Sequence, residues 1–317
     1  MKAFTRKKYG GPEVLQLEEV AKPVLKDNHI LVKVMANSIN PADLHLLRGK
    51  PLITRLSLGL FKPKNKILGA DFSGAIEETG NGVGSFKVGD HVFGEMLGGA
   101  FAEYACIPVN VCAKMPVTIN FSIMASISVA GLTAYQALIT HGKIKKGESV
   151  LINGASGGVG HFAIQIAKAY GAKVTAVCSS RNIAFVQTIG ADKVMAYNLV
   201  NVHEHNGSYD VIIDIHGNLN HSDYKRMGKR GVMIGFTTMR HMLSVLLKKA
   251  FSKFPLTHFT AKANTQDLNI LALLVKEGKM KAHIEKTFLY PEIPDAIAHI
   301  EQRRTRGKVV MTWSNGH

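Results

Sequence analysis

The chain has 317 residues, 46% of them hydrophobic, with a mean hydropathy near zero, which suits a globular protein with room for two domains and sizeable cores. Lys and Arg number 39 against 23 Asp and Glu, a formal charge of +16. The three cysteines, Cys106, Cys112 and Cys178, form no C-x-x-C pair, so neither a disulfide framework nor a zinc cage is expected, and a reducing compartment, the cytoplasm, fits best.

The opening segment, MKAFTRKKYGGPEV, lacks the apolar centre of a secretory signal. Short alternating runs follow, at Leu15-Leu17-Glu19 and from His29 to Val34, then at Phe72 to Glu77, His91 to Phe93 and Phe101 to Ile107. Turns at Gly80-Asn81-Gly82 and Val88-Gly89-Asp90 separate them, which predicts a β-rich, barrel-like module over residues 1–119. The segment from Pro51 to Lys66 reads as a long loop of the kind that sets substrate choice. The longest apolar tract, Ile123 to Ile139, is broken by Ser126, Ser128, Gly131, Thr133 and Gln136. It reads as a buried helix, and no membrane span is expected.

From about residue 120 strands alternate with helices. The central unit is SVLINGASGGVGHFAIQIAKAYGAKVTAVCSS, Ser149 to Ser180. Val150-Leu151-Ile152 predicts a buried parallel strand, a glycine turn follows, and Phe162, Ile164, Ile166 and Ala167 mark a helix closed by Gly171. Val174 to Val177 predicts the next strand. Ala155, Gly157 and Gly160 occupy the three G-x-G-x-x-G positions, where small residues let the backbone approach a pyrophosphate held at the helix N-terminus. Further strands are expected at Asp210–Asp214, Gly231–Phe236 and Leu256–Phe259, giving a doubly wound parallel sheet over residues 120–265. A helix from Leu268 to Lys276 and strands near Lys286–Tyr290 and Lys308–Trp313 then return to the first module, so residues 266–317 are grouped with it.

An NAD site places a carboxylate about 20 residues after the glycine turn, on the ribose 2′-OH. Here no Asp or Glu stands between Glu148 and Asp192, and the corresponding place holds Ser179, Ser180 and Arg181. Two hydroxyls and a guanidinium suit a 2′-phosphate, so NADP(H) is the expected cofactor. Three readings of the positive charge compete: steering of anionic ligands, nucleic-acid binding, and a solvated surface. The basic clusters (Lys62 to Lys66, Lys248-Lys249-Lys253 and Arg303-Arg304-Arg306) lack the aromatic interleaving of a single-strand platform.

Taken together, YGGPEVLQLEEV at 9–20, NSINPADLHLLRG at 37–49, ILGADFSGAIEETGNGVGSFKVGDHVFG at 67–94, VAGLTAYQAL at 129–138, INGASGGVGHFAIQIAKAYGAKV at 152–174 and RGKVV at 306–310 resemble the medium-chain dehydrogenase/reductase superfamily. Within it, the chain is similar to the zinc-independent quinone oxidoreductases and enone reductases. That resemblance implies an α/β fold, a Rossmann-type nucleotide domain joined to a β-rich GroES-like catalytic domain. Zinc-dependent members carry a cysteine in the stretch matching Ser38–Asn40 and a histidine at the motif matching Gly69-Ala70-Asp71, so no zinc is expected; an unorthodox set such as His45, His91 and Cys106 has no recognisable spacing.

The resemblance further implies residue roles. Asn40, Asp43 and His45 would act near the nicotinamide and substrate, with His45 a proton donor or ribose ligand. For each there is a plainer role: turn chemistry around Pro41 for the first two, a structural histidine for the third. Thr133 would contact the nicotinamide region. Gly157, Gly158, Val159 and Gly160 would cradle the pyrophosphate, Tyr197 would lie near the adenine, Gly235, Phe236 and Thr237 would line the nicotinamide pocket, and Arg303 would reach the cofactor. The implied activity is NADPH-dependent reduction of quinones or α,β-unsaturated carbonyls, in a homodimer. A nucleic-acid-binding or regulatory protein that keeps the nucleotide fold is the alternative, and a metal-free alcohol dehydrogenase-like enzyme another.

Overall fold

The computed structural model describes residues 1–313. They divide into two compact units, one of Met1–Val129 with Ala263–Lys276 and the segment from Ile284 onward, the other of Ala130–Lys262 with Glu277–His283.

In the first unit, β1 (Lys2–Thr5) pairs with β2 (Gln16–Glu19), and β3 (His29–Ser38) leads into helix α1 (Pro41–Arg48). A short helix, α2 (Arg55–Leu58), and a 3-10 turn at Leu52–Thr54 lie in the segment read from sequence as a loop. Strands β4 (Asp71–Thr79), β5 (His91–Glu95), β6 (Tyr104–Pro108) and β7 (Cys112–Lys114) follow. Phe101 and Ala102, expected to open β6, instead lie outside it, and Ala102 makes a lone bridge to Ala3. The last strands, numbered below, join these in a seven-stranded sheet. Its inner face carries Ile30, Val32, Val34, Phe72, Ile76 and Val92, all buried, as the period of two along each strand requires.

The apolar tract at 123–139 is two helices rather than one. Helix α3 (Phe121–Ala125) stops where the Ser126 hydroxyl donates to the Ile123 carbonyl at 2.6 Å, a side-chain bond that competes with the helical ladder. Helix α4 (Ser128–Tyr135) then restarts and widens into π-helical turns over Gln136–His141.

The second unit is built on a six-stranded sheet. Its strands are β8 (Ser149–Asn153), β9 (Lys173–Cys178), β10 (Lys193–Ala196), β11 (Tyr209–Asp214), β12 (Gly228–Met233) and β13 (Leu256–His258), in the spatial order β10-β9-β8-β11-β12-β13. Every neighbouring pair is parallel. The order reverses at β8, the switch point at which doubly wound sheets bind nucleotides. Helices α5 (Gly158–Ala169), α6 (Ile183–Thr188), α7 (His221–Met227) and α8 (Met239–Ala250) connect the strands. β12 begins and ends three residues earlier than its apolar run suggests, ending at Met233 opposite Asp214, so that Ile234–Phe236 lie in the loop beyond the sheet. Helix α9 (Thr265–Lys276), strand β14 (Ile284–Leu289), helix α10 (Ile293–Glu301) and strand β15 (Lys308–Thr312) complete the first unit, with β15 antiparallel to β3.

Candidate active site

The glycine turn between β8 and α5 is an empty-sided cradle. Gly154, at φ +89°, takes a conformation open to glycine, and the Gly154 and Ala155 amides both donate to the Val177 carbonyl, at 3.1 and 2.9 Å, which pins the turn to β9. Gly160 packs directly onto that turn: a Cβ there would stand 2.2 Å from the Gly154 carbonyl oxygen. Gly157, the residue preceding α5, differs, since a Cβ at that position would meet nothing nearer than 3.7 Å. The space beside Gly157 is therefore not filled by protein. The first amides of α5, those of Gly158, Val159 and Gly160, have no partner within the helix, as at any helix N-terminus, and are donors for an anion. That opening beside Gly157 and the positive end of α5 suit a pyrophosphate.

The end of β9 carries the residues expected at a 2′-phosphate. Ser179 and Ser180 follow the strand, and Arg181 is exposed. The Ser179 hydroxyl oxygen is buried with no hydrogen-bond partner, as a group awaiting a ligand would be. Ser180 is held by Asn198, which accepts from its amide at 2.8 Å and donates to its hydroxyl at 2.9 Å, while Asn182 donates to Ser156 of the glycine turn at 2.9 Å. These ties fix one loop to the other. Tyr197 is exposed just past β10, its amide bonded to the Cys178 carbonyl at 3.0 Å.

At the C-terminal ends of β11 and β12, Gly217 and Gly235 bring two loops into backbone contact. A Cβ on Gly217 would lie 2.1 Å from the Gly235 carbonyl oxygen, and one on Gly235 would lie 2.3 Å from that of Ile215. The Thr237 amide donates to Gly217 at 3.3 Å. Buried Asp214 organises this corner: it accepts from the Gly217 and Leu219 amides at 2.7 and 3.1 Å, from Tyr224 at 2.9 Å and from Asn153 at 2.8 Å. Gly235, Phe236 and Thr237 thus share one pre-shaped loop in this unit. Thr133 is buried on α4.

In the first unit, Asn40 and Asp43 belong to a buried charged cluster. Asp71, fully buried, accepts from Asn40 Nδ2 at 2.8 Å, from the Val129 amide at 2.7 Å and from the Ser38 hydroxyl. Lys308, 3% exposed, sits 3.3 Å from Asp71 and donates to Asn40 Oδ1 at 2.6 Å. Asn40 therefore has its oxygen engaged by Lys308 and one amide hydrogen left to offer. Asp43 caps α1, accepting from the Asn40 amide at 2.9 Å. The plainer helix-start role is thus present for Asp43, alongside a buried, unpartnered second carboxylate oxygen. Burial pushes the Asp43 carboxyl up to about 7, and it pushes Glu95, paired across the strands with Asp71, up to about 8.

His45, one turn along α1, has its pKa lowered by desolvation first and then by the Arg303 charge, so it is held toward the neutral form. Arg303 itself turns the chain after α10 at φ +53°. Of this cluster, sequence reasoning missed Asp71, Glu95 and Lys308, although Lys308 lay inside the quoted RGKVV motif.

A stability consequence arises from Glu95. Unfolded, its carboxyl ionises near pH 4.5; folded, near 8. Between these values the native state keeps a proton that the unfolded chain has released, so stability falls as pH rises through that window and is level above it. Glu95→Gln should accordingly raise the melting temperature at pH 9 and leave it nearly unchanged at pH 4. An equal shift at both, read by calorimetry, would contradict a native carboxyl of raised pKa.

Metal ligation is a separate question. Among the described residues no group of three or more His, Cys, Asp or Glu side chains is placed to hold a metal ion. Asp71, at the motif where zinc-dependent dehydrogenases supply a histidine, is committed to Lys308, Asn40, Ser38 and Val129. The donor set does not fit zinc.

Two protein-family matches and several relatives agree with these features. Residues 26–117 match the alcohol dehydrogenase GroES-like domain and residues 189–311 the family described as zinc-binding dehydrogenase. The chloroplast envelope quinone oxidoreductase homolog of Arabidopsis thaliana is 32% identical over 98% of this chain and 98% of its own. The chloroplastic NADPH-dependent alkenal/one oxidoreductase of the same plant is 29% identical over 98% of this chain and 79% of its own. Among solved structures, the Escherichia coli quinone oxidoreductase complexed with NADPH superposes with a TM-score of 0.83 at 25% identity, covering 98% of this chain and 100% of that one.

Proposed function

This chain belongs to the quinone oxidoreductase and enone reductase family of the medium-chain dehydrogenase/reductases, and from that premise we propose that it reduces quinones or α,β-unsaturated carbonyls with NADPH and without zinc. The observation that carries the cofactor half is the unfilled space beside Gly157 at the head of α5, with the unpartnered Ser179 hydroxyl at the neighbouring loop. The substrate half rests on family membership and on chemistry. A saturated ketone reduced without a Lewis acid leaves an alkoxide that little stabilises, whereas a conjugated acceptor spreads the charge into an enolate or quinol.

In this reading the protein binds, orients and excludes water. NADPH supplies a hydride when bound. Gly157 to Gly160 hold the pyrophosphate, and Ser179, Ser180 and Arg181 hold the 2′-phosphate. Tyr197 flanks the adenine, and Thr133 with Gly235, Phe236 and Thr237 shapes the nicotinamide pocket, while Arg303 adds a cation toward the cofactor. Asn40 offers its remaining amide hydrogen, with Asp43 fixing the helix start beneath it, and His45, held toward its neutral form, offers a ring N–H to the reduced acceptor or to a ribose hydroxyl while the proton itself comes from water. The same reading assigns the substrate to residues 1–119 with 266–317 and the cofactor to 120–265. Three free cysteines, two of them buried, support a reducing, cytoplasmic setting. The open edge of β13 suits pairing with a second copy of the chain.

Mixing the protein with NADPH and a naphthoquinone or a short alkenal should bleach the nicotinamide absorbance. Turnover restricted to saturated alcohols with NADP+ and added zinc would reject the assignment. Arg181→Ala should weaken NADPH by about 1–3 kcal/mol, the value of a charge-assisted contact, and NADH hardly at all. Titration of both cofactors checks this, and equal losses would remove Arg181 from the 2′-phosphate.

A further inference from the structure

Helix α8 has two apolar faces and needs only one for its own sheet. Val245 is buried, and Met242 and Leu246 pack against the core of the unit with Phe254. On another side Leu243 and Leu247, four residues apart, are 52% and 63% exposed, and Phe251, four further on, is 92% exposed. Leu243 and Leu247 form an apolar stripe on the helix that Phe251 follows at its C-cap, with Arg240, Ser244 and Lys248 lining a shallow depression beside Leu243 and Leu247.

The chain on either side of that stripe carries charge of one sign. No Asp or Glu occurs between Asp223 and Asp267, whereas Lys248, Lys249 and Lys253 crowd the end of the helix. Asp223, on the adjoining α7, is 4% exposed and already bonded to His203 and Arg226, so it does not offset them.

We propose that α8 is a peripheral docking surface for an anionic lipid bilayer, lying in the interface with Leu243, Leu247 and Phe251 inserted and the lysines on the headgroups. An amphipathic helix with bulky apolar groups on one side and cations flanking them has the composition such binding requires. A second copy facing α8 with its own α8 would oppose cation to cation. A nucleic acid would satisfy the lysines but leave Leu243 and Leu247 unburied, with Phe251 the one aromatic on the stripe to stack on a base. Among the described residues no helix is long and apolar enough to cross a membrane, so α8 rests on the surface. The helix starts immediately after Gly235-Phe236-Thr237, and the inference deepens the proposed function on that basis: it brings the nicotinamide loop to the phase in which lipophilic quinones and long-chain enones dissolve.

The test is sedimentation of the whole protein with phosphatidylcholine vesicles, with and without phosphatidylserine, at low and high salt. The protein should sediment with the phosphatidylserine vesicles, and roughly tenfold less with phosphatidylcholine alone or at high salt. Leu243→Ser/Leu247→Ser/Phe251→Ser and, separately, Lys248→Ala/Lys249→Ala/Lys253→Ala should each lose most of that binding and keep the wild-type circular dichroism spectrum. NADPH oxidation with a water-soluble short-chain quinone, without vesicles, should be unchanged in both variants. That assay reports on the reductase reading by itself, so its failure in the wild type is distinct from failure to bind vesicles. Vesicle binding that ignores lipid charge, no binding at all, conversion of a dimer to a monomer by the serine variant, or binding of RNA in place of vesicles would each overturn the proposal.

Discussion

Lys308→Met should lower the unfolding free energy by about 3–5 kcal/mol, the cost of leaving a buried charge without its partner. Lys308 is the cation set against Asp71, and both are sealed from water. Removing it strands the Asp71 carboxylate beside Asp43 and Glu95, whose carboxyls the Lys308 charge currently holds lower than burial alone would leave them. It also frees Asn40 Oδ1 and so loosens the start of α1. Pairing the change with Asp71→Asn should restore part of the loss, because the uncompensated charge then disappears. Urea unfolding of the two variants measures this directly. A loss below about 1 kcal/mol for Lys308→Met would mean the pair contributes no more than an exposed one.

Gly157→Val should leave the fold intact and weaken NADPH by about ten- to a hundredfold, equivalent to roughly 1.4–2.8 kcal/mol. Gly157 has φ −80° and ψ −174°, extended backbone that any residue adopts, and its Cβ would meet only the Gly154 carbonyl oxygen, at an unstrained 3.7 Å. The added methyl groups fall where a pyrophosphate must approach. Gly160→Ala provides the contrast, since its Cβ collides with the Gly154 carbonyl and the Ala155 backbone and therefore damages the turn itself. Melting temperatures and NADPH titrations of the two variants separate a ligand-binding glycine from a packing glycine. Equal loss of stability in both would erase that distinction.

The two halves of the site differ in how far the sequence reveals them. The nucleotide turn is local: its strand, glycines and helix lie within Ser149–Ala169, and each residue type has a mechanical reason to be there. The doubly wound parallel sheet followed from the same alternation, although its edge strand β10 was not read from the sequence. The Asp71–Lys308 cluster is not local. Its members come from β3, α1, β4, β5 and β15, and Asp71 and Lys308 are 237 positions apart. In an alternating strand a charged residue reads as facing water, and only the sheet register turns Asp71 inward. The break in the apolar tract at Ser126 was missed because the periodicity continues on both sides, while one hydroxyl bond decides the stop. The early end of β12 had a similar origin: apolar residues run on to Phe236, but the close approach of Gly235 to Ile215 takes the chain out of the sheet.

The central claim is that the turn at the head of α5 grips a phosphorylated nicotinamide nucleotide. Isothermal titration of the folded protein with NADPH tests it most directly. The expected result is one site per chain with a dissociation constant on the order of micromolar, tighter than that for NADH. Heats indistinguishable from dilution for both nucleotides, with the protein folded throughout, would contradict it.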